Sequence, residues 1–179
     1  MIQQRPRYED LTNLALNKPA AASSTLDEAL GTGSAWQIAY GNNGNNGNCW
    51  VPLYRDRLEL PAYWAPGLKH YKNEISWWQV DLGSTLYQIW KIDLVTFYDY
   101  PLARYNFEIR ASSDKDMNNY VVLGGVDSGD TLPPLGTFVL ILANPVSYQY
   151  IRVAKLVREN WNEIDISIAD LRVWGNQQV

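Results

Sequence analysis

Short runs of apolar–polar alternation, each closed by turn-forming residues, constrain this chain more than any other feature. Val80 and Leu82 alternate with Gln79 and Asp81, while Trp90, Ile92 and Leu94 alternate with Lys91 and Asp93. Tyr105, Phe107, Ile109 and Ala111 alternate with Asn106, Glu108 and Arg110. Phe138, Leu140 and Leu142 share one phase, Ile151 and Val153 flank Arg152, and Ile164, Ile166 and Ile168 alternate with Asp165 and Ser167. Side chains along a strand point to opposite faces in turn, so period two means one face in a core and one in water. Gly, Pro, Asn, Asp or Ser bounds each run, as antiparallel strands joined by turns require. Only Leu26 to Leu30 hints at a helical turn, and no stretch keeps a 3.6-residue period. The pattern predicts an all-β domain, a sandwich or jelly roll.

The last run carries extra information. Its apolar phase is 164, 166, 168 and then resumes at Leu171 and Val173. A slip of one residue would turn the apolar side chains to solvent, so a bulge is expected near Ala169 and Asp170. Such a bulge would re-aim Asp170.

Composition sets the outer bounds. A chain of 179 residues, 46% of them hydrophobic, can bury one sizeable core and is too short to argue for two. Eight Trp and twelve Tyr against three Phe favour positions that are half apolar and half wet. Trp77, Trp78, Trp90 and Trp174 lie within strand patterns and are expected in the core. Net charge is −4 with no clustered Lys and Arg, which argues against a nucleic acid partner. No apolar run approaches the roughly 20 residues of a membrane span, and Met1 to Asp10 holds no apolar signal segment. The single cysteine, Cys49, excludes an internal disulfide and a thiolate-rich metal site. There is no Asn-x-Ser/Thr sequon.

Two irregular stretches interrupt the pattern. Gly41 to Asn48 is all Asn and Gly, residues that tolerate positive φ, so it must be a loop. Residues 61–76 are rich in Pro, Gly and aromatics and show no strand period, a composition typical of a functional loop.

Five segments, in order, resemble the discoidin or coagulation factor 5/8 type C domain superfamily. They are Asn13 to Ser24, Trp77-Trp-Gln-Val-Asp-Leu-Gly83, Asn106 to Asp114, Tyr150 to Val153, and Ile168-Ala-Asp-Leu-Arg-Val-Trp-Gly175. The resemblance implies an eight-stranded, galactose-binding-like jelly-roll sandwich over residues 13–176, preceded by a lead-in at 1–12. It places a ligand site in loops at one end, as in family 32 carbohydrate-binding modules and F-type lectins. One fold hosts many ligands, so the loops must carry the functional argument.

Sugar sites combine polar side chains that read hydroxyls with an aromatic platform under the apolar ring face. His70, seven residues before Trp77, and Arg104, just before the Tyr105 strand, match the positions of an F-type His and Arg. The family's Arg-x-Asp is absent from Phe97 to Pro101, which leaves a galactose-like site in better standing than a fucose-like one. Trp64, Tyr71, Tyr98 and Tyr100 are candidate platforms, beside Tyr63, and Asp99 is a candidate polar contact or ion-pair partner of Arg104. The resemblance also implies a structural calcium, held by Ala39, Asn42, Asn45, Asn48 and Asp170. Here Tyr40 stands where the family has a ligand Asp, and Asp170 where it has Glu. Calcium takes six to eight hard oxygens; the alternative is a loop whose Asn side chains cap their own turns.

Catalysis has little support. No nucleophile-elbow, zinc or phosphate-loop motif occurs. The carboxylate pairs Asp114/Asp116 and Asp127/Asp130, which glycoside hydrolysis could use, lie in turn-forming sequence. A non-catalytic glycan-binding domain at a cell or particle surface is expected, touching membranes only through glycans or headgroups and working within a larger protein or an oligomer. The competing classes are a protein- or membrane-binding adhesion domain, with Tyr63-Trp64 and Leu132 to Leu135 as exposed tips, and a purely structural sandwich.

Overall fold

A computed structural model describes residues 6–23, 42, 77–95, 106–126, 136–156 and 168–177. A short 3-10 helix at Tyr8–Asp10 precedes nine strands: β1 (Thr12–Asn13), β2 (Ala20–Ala22), β3 (Trp77–Asp81), β4 (Tyr87–Val95), β5 (Phe107–Ser112), β6 (Val121–Val126), β7 (Thr137–Val146), β8 (Tyr150–Lys155) and β9 (Asp170–Gln177). Every pairing is antiparallel. One sheet has the order β1-β9-β4-β7 and the other β2-β3-β8-β5-β6. The all-β sandwich expected from alternation is present, with nine strands among the described residues in place of eight. The opening motif yields two strands too short to show a period. The run Val-Val-Leu-Gly-Gly-Val of β6 does not alternate at all.

Inward side chains of the two sheets meet in one core. Trp78, Val80, Phe107, Ile109, Ala111, Ile151 and Val153 come from the five-stranded sheet; Ile89, Ile92, Leu94, Leu171 and Val173 come from the other. Phe107 and Phe138 meet edge to face, their centroids 5.3 Å apart. Gly175 lies where β9 crosses the start of β4. An added Cβ there would overlap the Gln88 carbonyl oxygen and approach Leu14 Cδ1 to 2.6 Å.

The tryptophans divide differently from the expectation that all four are core. Trp78 is fully buried in the cluster. The register of β4 shifts between Ile89 and Lys91 against both neighbours, so Ile89 takes the core position that strict alternation gives to Trp90. Trp90 is still buried, and its indole N–H donates to Asn176 Oδ1 at 3.2 Å. Trp77 and Trp174 share the phase of outward, half-buried positions. At the other phase break, Ile168 forms an isolated bridge, Ala169 makes a bend and β9 begins at Asp170. The bend separates the two apolar phases, and Asp170 falls in line with outward Arg172 and Trp174.

Short links set the two poles of the sandwich. β3 passes to β4 through residues 82–86, and β7 to β8 through 147–149, each crossing between sheets. The opposite strand ends therefore share the second pole: Ala22, Trp77, Val95, Phe107, Val126, Thr137, Lys155 and Asp170. Registers Trp77↔Ala154, Phe107↔Lys155, Phe107↔Val126, Val95↔Thr137 and Val95↔Asp170 place these ends level.

Candidate functional site

The expected ligand residues His70, Arg104, Trp64, Tyr71, Tyr98, Asp99 and Tyr100 lie outside the described residues, as do Ala39, Asn45 and Asn48 of the expected metal set. The strand ends that bracket them are described. Ala22 and Trp77 flank the stretch holding residues 39–71, and Val95 and Phe107 flank the stretch holding 98–104; all four ends stand at the second pole.

That pole has an unusual polar lining for a strand-end layer. Lys155 is fully buried, opposite Phe107 in the register. Asn106 is fully buried with φ 53°, a left-handed conformation that Asn tolerates better than most residues. Its carbonyl accepts from Leu156 N at 2.7 Å, yet among the described residues neither Oδ1 nor Nδ2 has a hydrogen-bond partner. Asp170 is fully buried, and its Oδ2 accepts from Arg172 Nε at 2.7 Å.

Asn42 sits elsewhere. Its side-chain nitrogen donates to the carbonyls of Ala15 at 2.6 Å and Lys18 at 2.9 Å, and its own carbonyl accepts from Asn17 N. These bonds fasten it to the β1–β2 connection and leave Oδ1 as its one side-chain oxygen. Asp170 and Asn42 thus belong to different elements, and the Asp170 charge already faces an arginine. No group of three or more His, Cys, Asp or Glu able to hold a metal occurs among the described residues.

In the turn from Ser112 to Asn119, Asp114 serves as the turn residue that its sequence setting suggests. Asp114 Oδ1 accepts from Asp116 N at 3.0 Å, and Oδ2 accepts from Asn118 N and Nδ2 at 3.1 and 2.7 Å. The Asp116 amide and the Asn118 side chain hold the Asp114 carboxyl below its ordinary range.

This turn leans over the outer face of the five-stranded sheet, a region that alternation alone did not single out. Gln79 Nε2 and Arg152 Nη2 both donate to the Lys115 carbonyl, at 3.1 and 3.3 Å, and Arg152 Nε donates to Gln79 Oε1 at 2.8 Å. Arg152 and Arg110 stand opposite each other in the register, and each guanidinium lies over an aromatic ring. Arg152 is 4.1 Å from the Trp77 centroid and Arg110 is 4.5 Å from that of Tyr120. Burial, with a smaller contribution from Arg110, lowers the Arg152 pKa. Beside this clamp, Ala20, Ala21, Trp77, Asp81, Lys115, Asp116 and Tyr150 line a groove of about 350 Å³. The sequence signal for it was the polar phase of β3 (Trp77, Gln79, Asp81) beside three small alanines.

No protein-family model matches the chain, and no curated protein matches it by sequence. Solved structures do match. Chitosan-binding module 1 of a chitosanase/glucanase from Paenibacillus sp. IK-5 is 23% identical, with a TM-score of 0.61 over 92% of this chain and 99% of that one. An F-lectin from striped bass (Morone saxatilis) serum is 16% identical, with a TM-score of 0.68 over 94% of this chain and 50% of that one. The family 32 carbohydrate-binding module of Clostridium perfringens NanJ, in complex with galactose, is 13% identical, with a TM-score of 0.60 over 92% and 97%. The fold is the galactose-binding-like, discoidin-type β-sandwich.

Proposed function

We propose that this chain is a non-catalytic carbohydrate-binding domain whose site lies at the second pole of the sandwich. The observation that carries the reading is the convergence of strand ends. The stretches that hold His70, Trp64 and Tyr71, and those that hold Tyr98, Asp99, Tyr100 and Arg104, both leave and re-enter the sheets at that one pole. The likeness to a striped bass F-lectin and a galactose-bound clostridial module supports a glycan ligand. His70 and Arg104 would read hydroxyl groups, and one of the aromatics would pack against the apolar face of the ring. The absent Arg-x-Asp favours a galactose-like over a fucose-like sugar. Buried Asn106, whose side chain has no hydrogen-bond partner among the described residues, offers a donor and an acceptor at that pole. The domain would act at a cell or particle surface, carried by a larger protein or an oligomer, since single weak sites gain from multivalency.

Calcium is proposed only as a brace for the Asn/Gly tract, on the sequence pattern of Ala39, Asn42, Asn45, Asn48 and Asp170. Sugar recognition does not depend on it in this reading. A glycan array with and without chelator, followed by titration of each hit, tests the proposal. Binding of galactose-type glycans that falls at least tenfold in both His70→Ala and Arg104→Ala is expected. An array without a hit, or hits unaffected by both substitutions, overturns it.

A further inference from the structure

We propose that the outer-face groove beside β3 is a second ligand site, selective for a sugar unit carrying a protonated amine. It is independent of the site at the second pole. Its floor is the outward row of β3, with the half-buried Trp77 ring at one end and Asp81 at the other. Ala21, with Ala20 behind it in the strand, forms a low wall, because the outward Ala21 methyl leaves the space above β2 open. The turn at Lys115 and Asp116 forms the high wall, and Tyr150 closes the Asp81 end.

The groups in this groove differ in what they have left to offer. Gln79 and Arg152 hold the turn through hydrogen bonds to each other and to the Lys115 carbonyl. Asp81 Oδ1 accepts from Gly83 N at 2.7 Å and from Gln149 Nε2 at 2.9 Å, which fixes the carboxylate. Among the described residues, nothing donates to Asp81 Oδ2 or to either carboxylate oxygen of Asp116. Tyr150 Oη accepts from Gln149 Nε2 at 3.1 Å and keeps its own proton to donate. The result is one fixed acceptor carboxylate at Asp81, a second, unbonded one at Asp116, one hydroxyl donor and part of an indole around the groove.

Electrostatics select the cation. The carboxylates of Asp81, Asp114 and Asp116 outnumber the cations Lys115 and Arg152 around the groove. Burial first, and then the charges of Asp81, Asp114 and Asp116, raise the Tyr150 pKa, a sign of negative potential at the groove end. The part of the Trp77 indole that Arg152 leaves uncovered offers an apolar contact to the C–H groups of a sugar, and carboxylates favour an ammonium over an acetamide. Because Asp114, Gln79 and Arg152 hold the turn in place beforehand, little ordering is needed on binding.

The test uses the full chain with two probes, a fully deacetylated glucosamine oligomer and its N-acetylated counterpart, followed by backbone amide shifts and titration calorimetry. Shifts at Ala21, Lys115 and Asp116, and tighter binding of the amine form by about fivefold, are expected. Asp116 is exposed and its carboxylate makes no hydrogen bond, so Asp116→Asn tests the charge without unfolding; it should weaken the amine oligomer by about fivefold. Ala21→Phe fills the groove from an exposed edge position and should abolish the shifts at Lys115 and Asp116. The double variant His70→Ala/Arg104→Ala should leave all of these shifts in place, which separates this site from that of the proposed function. Equal binding of the two oligomers, or groove shifts that survive Ala21→Phe, overturns the proposal.

Discussion

Each sheet turns one half-buried tryptophan outward, beside a cation and carboxylates, yet the two surfaces end in opposite states. On the four-stranded sheet, Trp174 Nε1 donates to Asp93 Oδ2 at 2.7 Å, and Lys91 Nζ reaches the same oxygen at 2.8 Å. Lys91 also stands 5.7 Å from the ring centroids of both Tyr8 and Trp174, so the segment before β1 lies over the cluster. The indole, ammonium and carboxylate satisfy one another there; among the described residues, Asp93 Oδ1 is left without a partner. On the five-stranded sheet, the Trp77 ring carries Arg152, but Asp81 and Asp116 keep free oxygens facing a groove. The same residue types thus make a closed structural cluster on one face and an open groove on the other. The difference arises from what covers each face: an aromatic lead-in in the first case, small alanines and a raised turn in the second.

The contrast predicts different costs for matching substitutions. The largest effect is expected from Lys91→Met, which leaves the nearly buried Asp93 carboxylate without its cation. Chemical denaturation should show a loss of about 3 kcal/mol, and adding Asp93→Asn should recover much of it. Next is Trp174→Phe, which removes one donor to Asp93 while keeping an aromatic ring. A loss of about 1–2 kcal/mol is expected. A loss below the error of the melt would mean that the first cluster is not held by this hydrogen bond.

Asp114→Ala should loosen the turn in a pH-dependent way. The folded pKa of Asp114 lies below its ordinary 3.8, so its contribution is fully present above that value and fades as pH falls through the folded pKa. Wild type and variant should differ in stability at pH 6 and converge toward pH 2, as followed by urea melts. A gap that stays constant with pH would contradict the assigned hydrogen bonds. The smallest change in stability is expected for Trp77→Phe, about 0.5 kcal/mol by the same melts, because what it removes is largely surface stacking with Arg152. A loss as large as that of Trp174→Phe would erase the distinction between the open and closed faces.

Much of the fold was legible because alternation reports burial directly. Val80, Ile92, Leu94, Ile109, Val153 and Val173 all face the core as their phase requires. The misplaced residues share a cause that alternation cannot carry. Trp90 yields its core position to Ile89 because β4 bulges, and a bulge shifts phase without leaving a residue-type signature. Trp77 and Trp174 obey the outward phase, but their size suggested burial; cations stacked on each ring explain how a large indole sits at the surface. β1, β2 and β6 were hidden by brevity or by the Gly124-Gly125 pair. For the proposed ligand site, sequence supplied the candidate residues and the described structure supplied the pole that their flanking strands share. The groove was less legible, since it depends on how the 112–119 turn leans over β3 from 30 or more residues away in the chain.

The central claim is that this sandwich binds a glycan at its second pole. Its most direct test is a titration of the isotope-labelled chain with galactose, following backbone amide shifts. The account predicts saturable shifts centred on Asn106, Phe107, Lys155 and Asp170, weakened in His70→Ala and in Arg104→Ala. Shifts confined to the links at 82–86 and 147–149, or none at millimolar sugar, would contradict it.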